Sequence, residues 1–138
     1  MLNRPETPLN FHLRACRENN SSLLKEAFVP GGRFFGTDDT EFWKAEELIK
    51  QLDQSTTGWE MYLKDRTIFN VGWNNCYSDI CEFVELLDHK SYGAFRGTGL
   101  LFKCPDGRWR IKSYYMSFSI PNAAVDETNL LQLLTQKT

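Results

Sequence analysis

The chain has 138 residues, 41% of them hydrophobic and 25% charged, proportions that fit one globular domain, residues 1–138, able to bury a core without cross-links. Sixteen basic and eighteen acidic residues leave a formal charge of −2; with the two signs interspersed, no long-range field draws nucleic acid or an anionic membrane. No apolar run approaches membrane-spanning length and residues 1–8 hold no signal-peptide core, so a soluble cytoplasmic protein is expected.

Leu9, His12, Leu13 and Cys16 recur at i, i+3, i+4 and i+7, which predicts a first helix beginning near Pro8 with that face against a sheet. His12 and Cys16 stand one turn apart, but no third ligand is near in sequence, so packing and not metal binding is their reading. Asn20, Ser21 and Ser22 offer capping oxygens to a short second helix over residues 23–28, which Pro30, Gly31 and Gly32 end. A brief strand over residues 33–36 follows. Asp38 with Glu41 three residues on reads as the capped start of a helix running to about Gln54, with Phe42, Ala45, Ile49 and Leu52 as its apolar stripe.

From Trp59 the period changes. Residues 59–71, 77–87, 92–104 and 109–119 are rich in aromatic and β-branched side chains and are separated by turn residues. Pro105-Asp106-Gly107 is the clearest hairpin turn. Helices followed by a meander of long strands give an α+β fold with the helices on one face of a mostly antiparallel sheet. Asp126 is expected to cap a last short helix carrying Leu130, Leu131, Leu133 and Leu134. Along residues 80–87 both strand parities are largely apolar, which predicts that both sheet faces are covered, one by helices and the other by a second copy of the chain in a homodimer. Cys16, Cys76, Cys81 and Cys104 lack C-x-x-C spacing and are expected to be reduced thiols.

Arg33-Phe34-Phe35-Gly36-Thr37-Asp38, Phe83-Val84-Glu85, Arg96-Gly97-Thr98-Gly99, Trp109-Arg110-Ile111 and Pro121-Asn122 occur in this order over most of the chain. In that order and spacing they resemble the SnoaL-like family of the nuclear transport factor 2-like superfamily. The resemblance implies a cone-shaped domain with a curved sheet around an internal pocket. Two departures stand out. Tyr115 occupies the place of a His in the family's Y-H-x-S pattern, and Val84 that of an acidic neighbour of Glu85. A tyrosine with an unperturbed pKa near ~10 cannot act as that His would, whereas a hydrogen-bond donor role survives.

Candidate site residues follow from these strands. A carboxylate in an apolar cone has a raised pKa and can serve as a general acid or base, so Glu85 is the candidate catalytic group, with Tyr115 as donor to developing oxygen charge and Arg96 as ion-pair or anion-binding partner. Asp38 completes the ionisable candidates as a ligand-binding carboxylate; the competing structural reading makes Glu85 and Arg96 a cross-strand ion pair and Asp38 a helix cap. If the last strand is regular, Ser113, Tyr115, Ser117 and Ser119 face the pocket. Trp43, Trp59 and Tyr62 are candidates for a ligand rim, against a core role. His89 lies in a polar turn, where solvent exposure accounts for it. The expectation is a domain that binds a small, mainly apolar molecule in the cone, with no cofactor or metal; the alternative is a cofactor-independent isomerase, dehydratase or hydrolase.

Overall fold

The structure, a computed structural model, describes residues 3–72 and 77–120. Helices α1 (Glu6–Glu18) and α2 (Ser21–Ala27) lead into strand β1 (Phe28–Phe35); strand β2 (Phe42–Lys44) leads into helix α3 (Ala45–Gln54). Strands β3 (Met61–Asn70), β4 (Ile80–His89), β5 (Gly93–Lys103) and β6 (Trp109–Phe118) complete a six-stranded curved sheet in the order β2-β1-β6-β5-β4-β3. Only β1 and β6 run parallel; every other neighbour is antiparallel. The α+β expectation therefore holds. Cys76, Pro121, Asn122 and the helix expected after Asp126 lie outside the described residues.

The helices end where local chemistry says they must. Asn19, in the left-handed region at φ 51, stops α1, and the Asn20 side chain accepts from the Leu23 N–H to start α2. The expected start of α3 at Asp38 is corrected. Glu41 Oε1 accepts from the Asp38 N–H at 3.0 Å and Asp38 Oδ1 accepts from the Thr40 N–H at 2.8 Å, so the capping chemistry closes a single turn. Residues 42–44 are then taken by pairing with β1, Trp43 opposite Phe34, and the helix begins only at Ala45. Phe42 is consequently exposed, and Leu48 takes its place in the core beside Ala45. Pro30, Gly31 and Gly32 fall inside β1, where the register against β6 slips and Gly31 adopts φ 74.

The core lies between α1, α2, α3 and the inner sheet face, around Leu9, Leu24, Phe83, Leu101, Ile111 and Tyr114. On β4 the inner residues Cys81, Phe83, Glu85 and Leu87 are buried, while Val84 and Leu86 on the outer face are half-buried and Ile80 is exposed. The 105–107 turn closes as expected, with Gly107 at φ 82 and its N–H donated to the Cys104 carbonyl at 2.8 Å.

The last strand is not regular. Leu101 pairs with Ile111 but Leu100 pairs with Ser113, so Lys112 is an extra residue on β6. A bulge of one residue reverses the facing of all that follows. Ile111 and Tyr114, three apart, both point inward and are fully buried, whereas Tyr115 and Ser117 turn to the outer face. The expected inward row of Ser113, Tyr115 and Ser117 is thereby corrected. Gly99 makes the bulge possible: a Cβ there would run into the Ser113 carbonyl. Gly97 has a matching role, since a Cβ there would occupy the place of the Tyr114 hydroxyl.

Candidate functional site

A cavity of about 300 Å³, partly open to solvent, lies between α1, α3 and the inner sheet face. Helix α1 contributes His12 and Cys16, β1 contributes Phe34, β2 Trp43, α3 Leu52 and β6 Met116. Thr37 and Glu41 of the β1–β2 turn, and Gln51 and Ser55 at the end of α3, add polar groups. Trp43 enters because three-residue β2 pairs it with Phe34, whose ring lies 6.3 Å away and nearly parallel. Trp59 is fixed at the mouth by its backbone N–H, donated to the Cys16 carbonyl at 2.8 Å, and by packing of its ring on His89 and Tyr92. Gly58 permits that approach, as any Cβ would meet the Arg17 backbone. In a roomier groove outside, Arg110 grips Asp106 through two bonds and Glu46 accepts from the Gly31 N–H, so three of its edging charges are already engaged.

Glu85 is buried beneath the cavity wall rather than in it. Its Oε2 receives Arg66 Nε at 2.8 Å and lies 2.6 Å from Arg66 Nη2, while Oε1 accepts from the Tyr114 hydroxyl at 2.7 Å. Arg66 Nη1 in turn donates to Asn10 Oδ1 on α1. Register explains the partners. Arg66 lies opposite Glu85 across β3 and β4, Gly97 lies opposite it across β4 and β5, and the missing side chain of Gly97 leaves the path that Tyr114 takes from β6. Burial pushes the Glu85 carboxyl above its ordinary value, an effect opposed by the Arg66 charge and by the bonds from Tyr114 and Arg66. The Tyr114 hydroxyl is raised well above its usual range by burial and by the Glu85 charge, so it stays a donor.

The other sequence candidates divide by position. Trp43 and Trp59 line the cavity. Arg96 pairs with Leu86 on the outer face and does not reach Glu85; Arg66 fills the role expected of it. Tyr115 is also outside, stacked at 4.2 Å on Phe35, and Ser117 lies opposite Arg96. Tyr62 is exposed beneath the Arg17 guanidinium, 5.2 Å from its ring centroid. Asp38 belongs to the turn beside the cavity. His89 is more than a solvated turn residue: its Nδ1 accepts from the Ser91 and Tyr92 N–H groups.

Sequence reasoning missed Arg66, Tyr114 and the cavity-lining position of His12. Only for His12 was a signal available, a polar ring set in the apolar face of α1. It is buried against Tyr114, 4.6 Å between ring centroids, and Phe28 and Phe34 flank it. Burial lowers its pKa to about 4 from 6.5, and raises that of Cys16 to about 12, so both are neutral at physiological pH. Because the unfolded chain binds a proton at His12 between those two values and the folded chain does not, acidification favours unfolding. From pH 7 to pH 5 this removes about 2 kcal/mol of stability. Glu85, with its pKa raised, has the opposite dependence and cannot produce that loss. Urea unfolding across this range should show the slope in the wild type and a markedly smaller one in His12→Phe.

Among the described residues there is no group of three or more His, Cys, Asp or Glu side chains placed to hold a metal, and no helix is long and apolar enough to cross a membrane. A family model described as a SnoaL-like domain matches residues 9–121. No curated protein matches the chain. Solved structures do share its fold. An NTF2-like protein from Cytophaga hutchinsonii is 14% identical with a TM-score of 0.64, over 86% of this chain and 100% of that one. A ketosteroid isomerase-like protein from Erwinia carotovora atroseptica is 17% identical with a TM-score of 0.61, over 85% and 95%. A cystatin-like fold protein from Burkholderia xenovorans is 14% identical with a TM-score of 0.64, over 84% and 90%. At such identities the likeness is one of fold.

Proposed function

Since the chain belongs to the SnoaL-like domain family, we propose that it binds a small, largely apolar molecule in the cavity between α1, α3 and the sheet. The observation that carries this reading is the cavity itself: about 300 Å³ walled by Phe34, Trp43, Leu52, Trp59 and Met116, with a few polar groups among them. Both oxygens of Glu85 are engaged by Arg66 and Tyr114, which favours binding over the use of that carboxylate as a base. Leu52→Trp fills the space. Uncharged aromatic compounds that raise the melting temperature of the wild type should leave this variant unmoved; an equal shift in both would place binding elsewhere.

A second reading, cofactor-independent acid–base catalysis of isomerisation, dehydration or hydrolysis, draws on Glu41 and His12, which line one cavity. Its signature is turnover lost in Glu41→Gln with ligand binding kept.

The outer sheet face supports a homodimer. Phe69 and Ile80 are exposed there, with Val84, Leu86 and Leu100 half-buried beside them, an apolar surface of the kind partners cover. Sedimentation should give a dimer at micromolar concentration and a monomer for Leu86→Lys. Cys16, Cys81 and Cys104 are free thiols, which supports a cytoplasmic setting.

A further inference from the structure

The described residues that line the cavity include no lysine or arginine and a single acid, Glu41. The other titratable groups there carry no charge: burial holds His12 neutral, with a pKa of about 4, and keeps Cys16 a thiol, with a pKa of about 12. Lys44 follows Trp43 along β2 and so belongs to the opposite sheet face, where it pairs with Arg33. The Glu41 carboxyl group lies across Gly36, which also lines the cavity; a Cβ on that glycine would come 2.9 Å from Oε2. Oε1 accepts from the Asp38 N–H, while Oε2 makes no hydrogen bond among the described residues. The polar atoms sealed from water without a partner belong to His12, Asn19 and Arg66, so the half-buried Glu41 keeps Oε2 within reach of a guest.

Resting on the reading of the cavity as a binding site and not on its catalytic alternative, we infer that the ligand is a primary amine on an apolar body, bound as the ammonium with Glu41 as its counter-ion. The sign of the charge follows from the lining. A carboxylate or phosphate would give up water on entry, meet no cation in return and stand beside a negative charge. An ammonium gives up water too, but it donates to Glu41 Oε2 in a charge-assisted hydrogen bond. Its three donors have further acceptors to use, because Thr37 and Gln51 also line the cavity. The apolar body follows from Phe34, Trp43, Leu52, Trp59 and Met116, which make up much of the remaining wall. An uncharged molecule of the same shape would fill that part and strip water from the Glu41 carboxylate without replacing it by a cation.

Three naphthalenes that share a ring system and differ at one substituent test this: 2-naphthylmethylamine, 2-naphthylmethanol and 2-naphthoate, each titrated into the full chain at neutral pH and followed by NMR. In the wild type the amine should bind about tenfold more tightly than the alcohol, the discrimination expected of a hydrogen bond to a charged group, and the carboxylate should bind most weakly. Glu41→Gln keeps an oxygen for the Asp38 N–H and removes the charge; there the ratio of amine to alcohol should fall to about one with alcohol binding retained. The side-chain carboxyl carbon resonance of Glu41 in the wild type should move with the amine and far less with the alcohol, a readout that holds even if the variant fails to fold. Leu52→Trp, which fills the cavity, should lose the amine. Alcohol or carboxylate binding the wild type as tightly as the amine, an amine preference that survives in Glu41→Gln, or amine binding that persists in Leu52→Trp while the alcohol is lost overturns the cation assignment and leaves the cavity reading standing. Binding of none of the three to the folded wild type removes the cavity reading, and the cation with it.

Discussion

Arg66→Ala should lower the stability of the protein by about 3–5 kcal/mol at neutral pH, the loss expected when a buried ion pair is broken from one side. Glu85 is wholly buried and the Arg66 side chain is 11% exposed, so water cannot replace the guanidinium. The carboxylate would keep only the Tyr114 hydroxyl. The pH dependence carries a signature. Removing the cation raises a pKa that burial already raises, and a carboxyl whose folded pKa exceeds its unfolded value loses stability as pH rises through the folded pKa. The variant should therefore be closest to the wild type in mild acid and fall furthest behind it above neutrality. Replacing the whole network by apolar side chains, with Arg66→Met, Glu85→Leu and Tyr114→Phe together, leaves no member of that network buried without a partner. That triple variant should recover to within about 2 kcal/mol of the wild type. Urea unfolding at several pH values measures all of this; a loss below about 1 kcal/mol in Arg66→Ala would mean that the clamp does not hold the fold.

The second large effect is expected at Gly99. A methyl group there meets the Ser113 carbonyl, and the Phe83 ring edge lies 3.1 Å away. Neither neighbour is the free end of a flexible side chain. Strands β5 and β6 would have to part at the bulge that turns Tyr114 inward, and Gly99→Ala should cost about 3 kcal/mol or more, the upper end of overpacking effects. Gly107→Ala provides the comparison. That glycine has φ 82 and open space around it, so its substitution meets only the left-handed backbone penalty of about 1–2 kcal/mol. Equal losses at the two positions, measured by chemical denaturation, would remove close approach as the reason for the second glycine of the Arg96-Gly97-Thr98-Gly99 segment.

The four strands after Trp59 and their order along the chain were legible because alternation, aromatic content and turn residues change together at Trp59. What sequence could not supply was register. Glu85 was singled out as a carboxylate of the cone and is buried, but whether Arg66 or Arg96 answers it depends on which residue of a neighbouring strand lies opposite and on which face. Leu86, not Glu85, pairs with Arg96. The bulge at Lys112 has a similar consequence. One unpaired residue exchanges Tyr114 for Tyr115 as the inward-facing ring, and no local pattern in residues 109–119 announces it; what leaves room for it is Gly99 on the adjacent strand. Asp38 and Glu41 illustrate the converse. The capping chemistry was read correctly, yet pairing of residues 42–44 with β1 overrode the helix it would have begun. Trp43 and Trp59 were legible as large rings, and their place in a cavity wall depended on that same tertiary pairing.

The account turns on whether the space between α1, α3 and the sheet accepts an apolar guest. Crystals of the full chain pressurised with xenon answer this directly, because apolar walls such as Trp43, Leu52 and Met116 take up the gas without a chemical ligand. Xenon density against Trp43, Leu52 and Met116 is the predicted result. Absence of xenon, with Trp43 or Trp59 turned into the space and closing it, would contradict it.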